Sequence, residues 1–94
     1  MIDVKVELHG ELRDALGSKF VMNLPEGASV NQLLKKIVGQ AGETFKRKIY
    51  DSKGRLLPHP LLKIQVNASD GKFDQKLQNG DVVSIFVFSA IGGG

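Results

Sequence analysis

The chain has 94 residues, 24% of them charged and 41% apolar, with a formal net charge of +3 and a pI near 9.3. That balance is ordinary for one small globular domain and argues against wholesale disorder; no stretch reaches the length of a membrane span and no charged-then-apolar leader opens the chain, so a cytoplasmic setting is expected. The absence of cysteine excludes disulfides, thiolate metal sites, iron–sulfur clusters and a cysteine nucleophile.

Residues 2–8 (IDVKVEL) alternate strictly. Ile2, Val4, Val6 and Leu8 share one side and Asp3, Lys5 and Glu7 the other, which predicts a strand with one buried face. Residues 10–17 (GELRDALG) predict a short helical turn closed by Gly17, with Leu12, Ala15 and Leu16 turned inward. Residues 19–24 alternate again through Phe20, Met22 and Leu24, so the first two strands can pair antiparallel. Pro25 ends the second.

The clearest helix follows, with Ser29 as N-cap and Val30, Leu33, Leu34, Ile37 and Val38 on one stripe. Gly39 or Gly42 stops it. Residues 43–50 (ETFKRKIY) predict a shorter second helix with Phe45 and Ile49 one turn apart, then 51–55 (DSKGR) a turn and Pro58-His59-Pro60 a stiff connector. Residues 61–67 predict a third strand, with Leu62, Ile64 and Val66 on one side. Asp70-Gly71 and Asn79-Gly80 read as turn dipeptides, with Phe73 and Leu77 pinning the loop between them to the core.

The last strand is 82–88 (VVSIFVF). Val83, Ile85 and Val87 make one face, and Val82, Ser84, Phe86 and Phe88 the other. An open sheet face normally carries polar residues. Phe86, Phe88 and Val82 are therefore candidates for a partner-docking patch if that face is open, and core residues if the faces are reversed. Both placements stand at this point. Strand, strand, helix, strand, strand, with the first and last strands side by side in the middle, predicts an α+β β-grasp domain over 1–88: a mixed sheet packed on one main helix. Residues 89–94 form a tail ending Gly92-Gly93-Gly94. Such a run has nothing to bury and much backbone entropy to lose, so the tail is expected to be flexible.

Other chemistry is sparse. His9 and His59 lack cysteines or clustered carboxylates around them and read as loop and surface residues; no metal site is expected. The serines carry no nucleophile signature and the glycines no phosphate-loop spacing, so no catalytic residue is assigned. Lys46, Arg47, Lys48, Lys53 and Arg55 read as a solvated helix end and turn in preference to a phosphate-binding patch, and nucleic acid is not an expected partner.

The opening strand, GELRDALG, the helix onset GASVNQLL, LKIQVNASD, and NGDVVSIFVF with the terminal glycines together resemble the MoaD/ThiS-like sulfur carriers, which include the molybdopterin-synthase small subunits and the archaeal ubiquitin-like modifiers. The resemblance spans essentially the whole chain. It implies a ubiquitin-like fold and a carrier with no catalytic role of its own, even as a small subunit of molybdopterin synthase. An adenylating enzyme would thread the tail through Gly92 and Gly93 and use ATP to activate the carboxylate of Gly94, or of Gly93 if the end is trimmed. The product would be a thiocarboxylate, serving molybdopterin or tRNA thiolation, or an isopeptide bond to a target lysine. Implied partners are that enzyme, the synthase large subunit and target lysines, with no cofactor bound to the chain. The bacterial carriers usually have two prolines where this chain has Val87 and Phe88, and end in two glycines where it has three. A β-grasp interaction module without tail chemistry is the alternative.

Overall fold

A computed structural model describes residues 1–12, 17–57 and 61–87. The elements in order are β1 (Ile2–Leu8), a 3-10 turn (Gly10–Leu12), β2 (Lys19–Leu24), α1 (Val30–Ala41), α2 (Glu43–Ile49), β3 (Leu62–Val66), the short β4 (Ser69–Asp70) and β5 (Val82–Val87). They form one mixed five-stranded sheet in the order β2-β1-β5-β3-β4, with both helices packed on one face. β1 pairs antiparallel with β2, from Ile2 opposite Leu24 to Glu7 opposite Lys19. It pairs parallel with β5, from Lys5 opposite Val82 to Leu8 opposite Ile85. The chain's first and last strands therefore lie together at the centre, as the β-grasp expectation required.

Alternation along the strands decides which side faces the helices. Val4, Val6, Leu8, Val83 and Ile85 are buried on the inner side against Val30, Leu33, Leu34 and Ile37 of α1 and Phe45 and Ile49 of α2. Among the described residues, nothing polar or charged is buried in this core. α1 starts with a capping box: the Ser29 hydroxyl accepts from the backbone N–H of Gln32, and the Gln32 side chain accepts from the backbone N–H of Ser29. These bonds satisfy donors that the first helical turn leaves free. Gly42 ends the helix, so Gly39 lies within it and is not a stop. The side chain of Lys36 donates to the carbonyl of Asn23, tying α1 to the edge strand β2.

Two expectations for the 67–81 region need correction. The turn after β3 is not Asp70-Gly71 but Asn67-Ala68, both at positive φ (53° and 68°), with Val66 paired to Ser69 across it. Two residues at positive φ are what a type I′ hairpin demands. Asp70 falls in β4, and Gly71 is required for another reason: a Cβ there would meet Val66 Cγ2 at 2.8 Å. Nor does the Phe73 ring pin the loop; it is 38% exposed, while Leu77 is buried. Main-chain bonds hold the segment instead. The N–H groups of Val30 and Asn31, which α1 cannot satisfy internally, donate to the carbonyls of Gln75 and Phe73 at 2.9 and 2.8 Å. Asn79-Gly80 is a turn as expected, with Gly80 at φ 87°. Ala15, Leu16, His59 and Phe88 lie outside the described residues.

Candidate functional site

The placement of the aromatic patch depends on which face β5 turns to the helices. Val83 and Ile85 are fully buried, so the alternate residues Val82, Ser84 and Phe86 lie on the open face of the sheet, each half-buried. Of the three patch candidates, Val82 and Phe86 are thus on one surface, away from the helices; Phe88 lies outside the described residues. So do Gly92, Gly93 and Gly94.

The parallel register between β1 and β5 adds residues that hydropathy alone does not single out. Glu7 stands opposite Ser84, and the Ser84 hydroxyl donates to its carboxylate at 3.4 Å. Two positions on, His9 meets Phe86, and the rings stack with centroids 4.2 Å apart and planes within 9°. The backbone N–H of His9 donates to the carbonyl of Ile85 at 3.1 Å, fixing the imidazole beside β5. Its Nε2 is buried without a hydrogen-bond partner and stands 3.9 Å from Glu7 Oε1. His9 lies just past β1 with a partly exposed side chain, as expected of a surface residue at a strand end, and its ring also belongs to the aromatic surface. The signal for this was present in the parity of the two strands: once they are parallel neighbours, Glu7 and His9 must share a face with Ser84 and Phe86.

Glu7, His9, Gln65, Asn67, Val82 and Phe86 line a shallow groove of about 440 Å³ on this face. The β3–β4 turn forms one wall. Asn67 holds it there, since its side chain accepts from Val82 N–H at 3.0 Å and donates to Asp81 at 3.0 Å, while its own N–H donates to the Val82 carbonyl. The other end of β5 leads to the glycines. Val87 is the last residue of the strand and pairs with Leu62. Gly10, at the start of the 3-10 turn, stands so close to this strand end that a Cβ there would lie 3.8 Å from the Val87 carbonyl oxygen. Residues 88–94 follow directly on this central strand. Among the described residues no group of three or more His, Cys, Asp or Glu side chains could hold a metal ion, and no helix is long and apolar enough to cross a membrane.

Comparison with solved structures places this architecture among ubiquitin-like proteins. Small archaeal modifier protein 1 of Haloferax volcanii superposes with a TM-score of 0.84 at 16% identity, over 95% of this chain and 100% of the other. A putative molybdopterin converting factor, subunit 1, of Pyrococcus furiosus gives a TM-score of 0.75 at 30% identity, over 95% and 100%. Urm1 of Sulfolobus solfataricus gives 0.62 at 21% identity, over 89% and 99%. A comparison with curated protein sequences finds no match. The pattern of the ThiS family matches residues 6–94, almost the whole length. The chain belongs to the ThiS family, a group of ubiquitin-like sulfur carriers and modifiers rather than catalytic enzymes.

Proposed function

We propose that this protein works through its own C-terminus as an activated acyl group. The observation that carries the reading is the run Gly92-Gly93-Gly94 that ends a ThiS-family chain, with four residues between it and Val87, the last residue of the central strand. The Gly94 carboxylate, or that of Gly93 in a trimmed chain, attacks the α-phosphate of ATP in the site of an adenylating partner, and pyrophosphate leaves. The resulting acyl-adenylate is a far better acyl donor than a carboxylate, because AMP leaves readily where oxide does not. A sulfur nucleophile then displaces AMP and gives a thiocarboxylate, or a lysine amine takes the acyl group and gives an isopeptide bond. Glycine suits the end because the missing Cβ leaves the carbonyl unhindered and lets Gly92 and Gly93 enter a narrow channel.

The open-face groove supports the same reading as a docking surface for the adenylating enzyme, with Phe86 and Val82 as apolar contacts and Phe88 as the next residue of the same parity. Such a chain binds no cofactor of its own, and the ATP is the partner's. The sulfur would pass to molybdopterin, beside a synthase large subunit, or to tRNA, and the acyl group to lysines of target proteins. A cytoplasmic setting goes with this use of ATP. The groove is also what a β-grasp module without tail chemistry would need, and one deletion separates the two readings. The full chain is incubated with ATP, sulfide and an adenylating enzyme from the same cell, and its intact mass is measured. The expected result is a gain equal to sulfur replacing oxygen, lost when Gly93 and Gly94 are deleted. No gain with a demonstrably active partner would leave the docking module.

A further inference from the structure

We propose that α2 and the turn after it form a second docking surface, which takes a carboxylate-rich segment of a protein partner and works independently of the glycine tail. Charge segregation is the first observation. Residues 43–55 hold five basic and two acidic residues, a net charge of +3, and in the rest of the chain eight basic and eight acidic residues cancel. The whole excess charge of the protein therefore sits on one helix and one turn.

The second observation is that this turn is built, not loose. Asp51 Oδ1 accepts from the backbone N–H groups of Lys53 and Arg55, both at 2.9 Å. The Asp51 N–H donates to the Arg55 carbonyl at 2.7 Å, and Gly54, at φ 79°, closes the turn with its N–H on the Asp51 carbonyl at 3.0 Å. Tyr50 bridges to Leu56, and Leu57 N–H donates to the Ile49 carbonyl, so the turn is clamped to the end of α2. Its backbone bonds, that to Arg55 foremost, keep the Asp51 carboxyl below its ordinary value despite some desolvation, with help from the Arg55 guanidinium at 3.7 Å. The turn thereby fixes the backbone from which the exposed Lys53 and Arg55 side chains extend, next to the exposed Lys46 and Arg47 of the helix. Lys46, Arg47, Tyr50, Ser52 and Gly54 line a groove of about 390 Å³ on this surface, and Lys53 and Arg55 flank it in sequence without lining it.

The charge of the whole segment, and not that of the groove alone, selects the partner. The lining holds two basic and two acidic side chains, and the excess of +3 comes from Lys48, Lys53 and Arg55 outside the groove. Glu43 and Asp51 also line it and interrupt the positive surface, so an evenly spaced run of phosphates meets repulsion where a peptide of mixed residues need not. Single-stranded nucleic acid also binds through exposed aromatic platforms, and here Phe45 is fully buried and Tyr50 half-buried. Complementary charge favours an acidic protein segment and chiefly speeds its encounter. Because α2 buries Phe45 and Ile49 in the helix layer, this surface lies on the side of the sheet away from Phe86. Both faces can be occupied at once.

The test uses the full chain with a labelled short poly-glutamate peptide and, separately, an oligo-uridylate of equal length. Peptide binding is expected to shift backbone amides within residues 43–57, to weaken with salt, and to fall roughly tenfold in K46E/R47E, while K35E on α1 leaves it unchanged. Asp51 gives the sharper readout. Asp51→Asn removes a negative charge and keeps an acceptor for the turn, so binding strengthens; Asp51→Ala removes the same charge and the turn's anchor, so binding weakens. Equal strengthening in both variants would mean diffuse attraction without a built site. That result, tighter binding of the oligo-uridylate, or amide shifts spread over the molecule would each overturn the proposal. Deleting residues 92–94 leaves peptide binding intact, which keeps this result separate from the fate of the carrier reading.

Discussion

Along β5, neighbouring side chains do different work. Val83 and Ile85 point into the helix layer and are fully buried, while Val82, Ser84 and Phe86 point the other way and stay half-exposed beside Glu7 and His9. Both sets are dominated by apolar residues, so composition does not distinguish them. Their neighbours do. The inner set meets Val4, Val6, Leu8 and the two helices, whereas the outer set meets a carboxylate, an imidazole and solvent. Burial on the inner side supplies folding free energy; on the outer side the same apolar surface remains available to a partner.

Paired truncations test whether the two sides are as separable as this. Ile85→Ala leaves a cavity in a core that closes around it completely, and a loss of about 3–4 kcal/mol in unfolding free energy is expected in chemical denaturation. Phe86→Ala removes a stacked ring from a half-exposed face, for a loss of about 1 kcal/mol. Its larger effect belongs in recognition: roughly a tenfold rise in KM toward the adenylating partner, with kcat little changed. If Phe86→Ala cost as much stability as Ile85→Ala, the open face would be structural and the docking assignment would fall.

A smaller and more local test concerns Gly71, at the far edge of the same sheet. Its N–H donates to the Ile64 carbonyl at 2.9 Å, and a Cβ would lie 2.8 Å from Val66 Cγ2. Val66 is buried and β-branched, with little room to turn aside. Gly71→Ala is therefore expected to cost about 1–2 kcal/mol and to broaden the amide resonances of β3 before those of β1. An unchanged stability would show that Val66 relaxes freely and that the edge is softer than the centre.

What was legible in the residues follows the same division. Strict alternation over Ile2–Leu8 and the stripe Val30, Leu33, Leu34 and Ile37 disclosed the core, because a buried face imposes a period on its own sequence. The β-grasp order and the Ser29 cap were readable for similar reasons. The open face was only half readable: Phe86 and Val82 stand out as apolar, but His9 and Glu7 join them through a parallel pairing between residues 77 positions apart in the Glu7–Ser84 contact. Turn chemistry misled where sterics ruled. Asp70-Gly71 carries the dipeptide of a turn, yet Gly71 is there for a close approach, and the actual turn uses an alanine. Phe73 looked like a core anchor, but carbonyl groups accepting from the N-terminus of α1 do that task without its ring.

That alanine yields the smallest and most pointed prediction. Ala68 adopts φ 68°, where a Cβ crowds the backbone and where a two-residue I′ hairpin normally places glycine. Ala68→Gly relieves about 1 kcal/mol of that strain and gives part of it back through the greater freedom of glycine in the unfolded chain. A net gain of about 0.5 kcal/mol is expected, read as a small rise in Tm. Ala68 also lines the open-face groove beside Val82 and Phe86, and a residue kept in a costly conformation at such a place suggests use of its methyl group. The variant should then be slightly more stable and a poorer ligand for the adenylating partner at once. Stability without loss of binding would confine the recognition surface to β5 and leave the alanine as an unrelieved local cost of the hairpin.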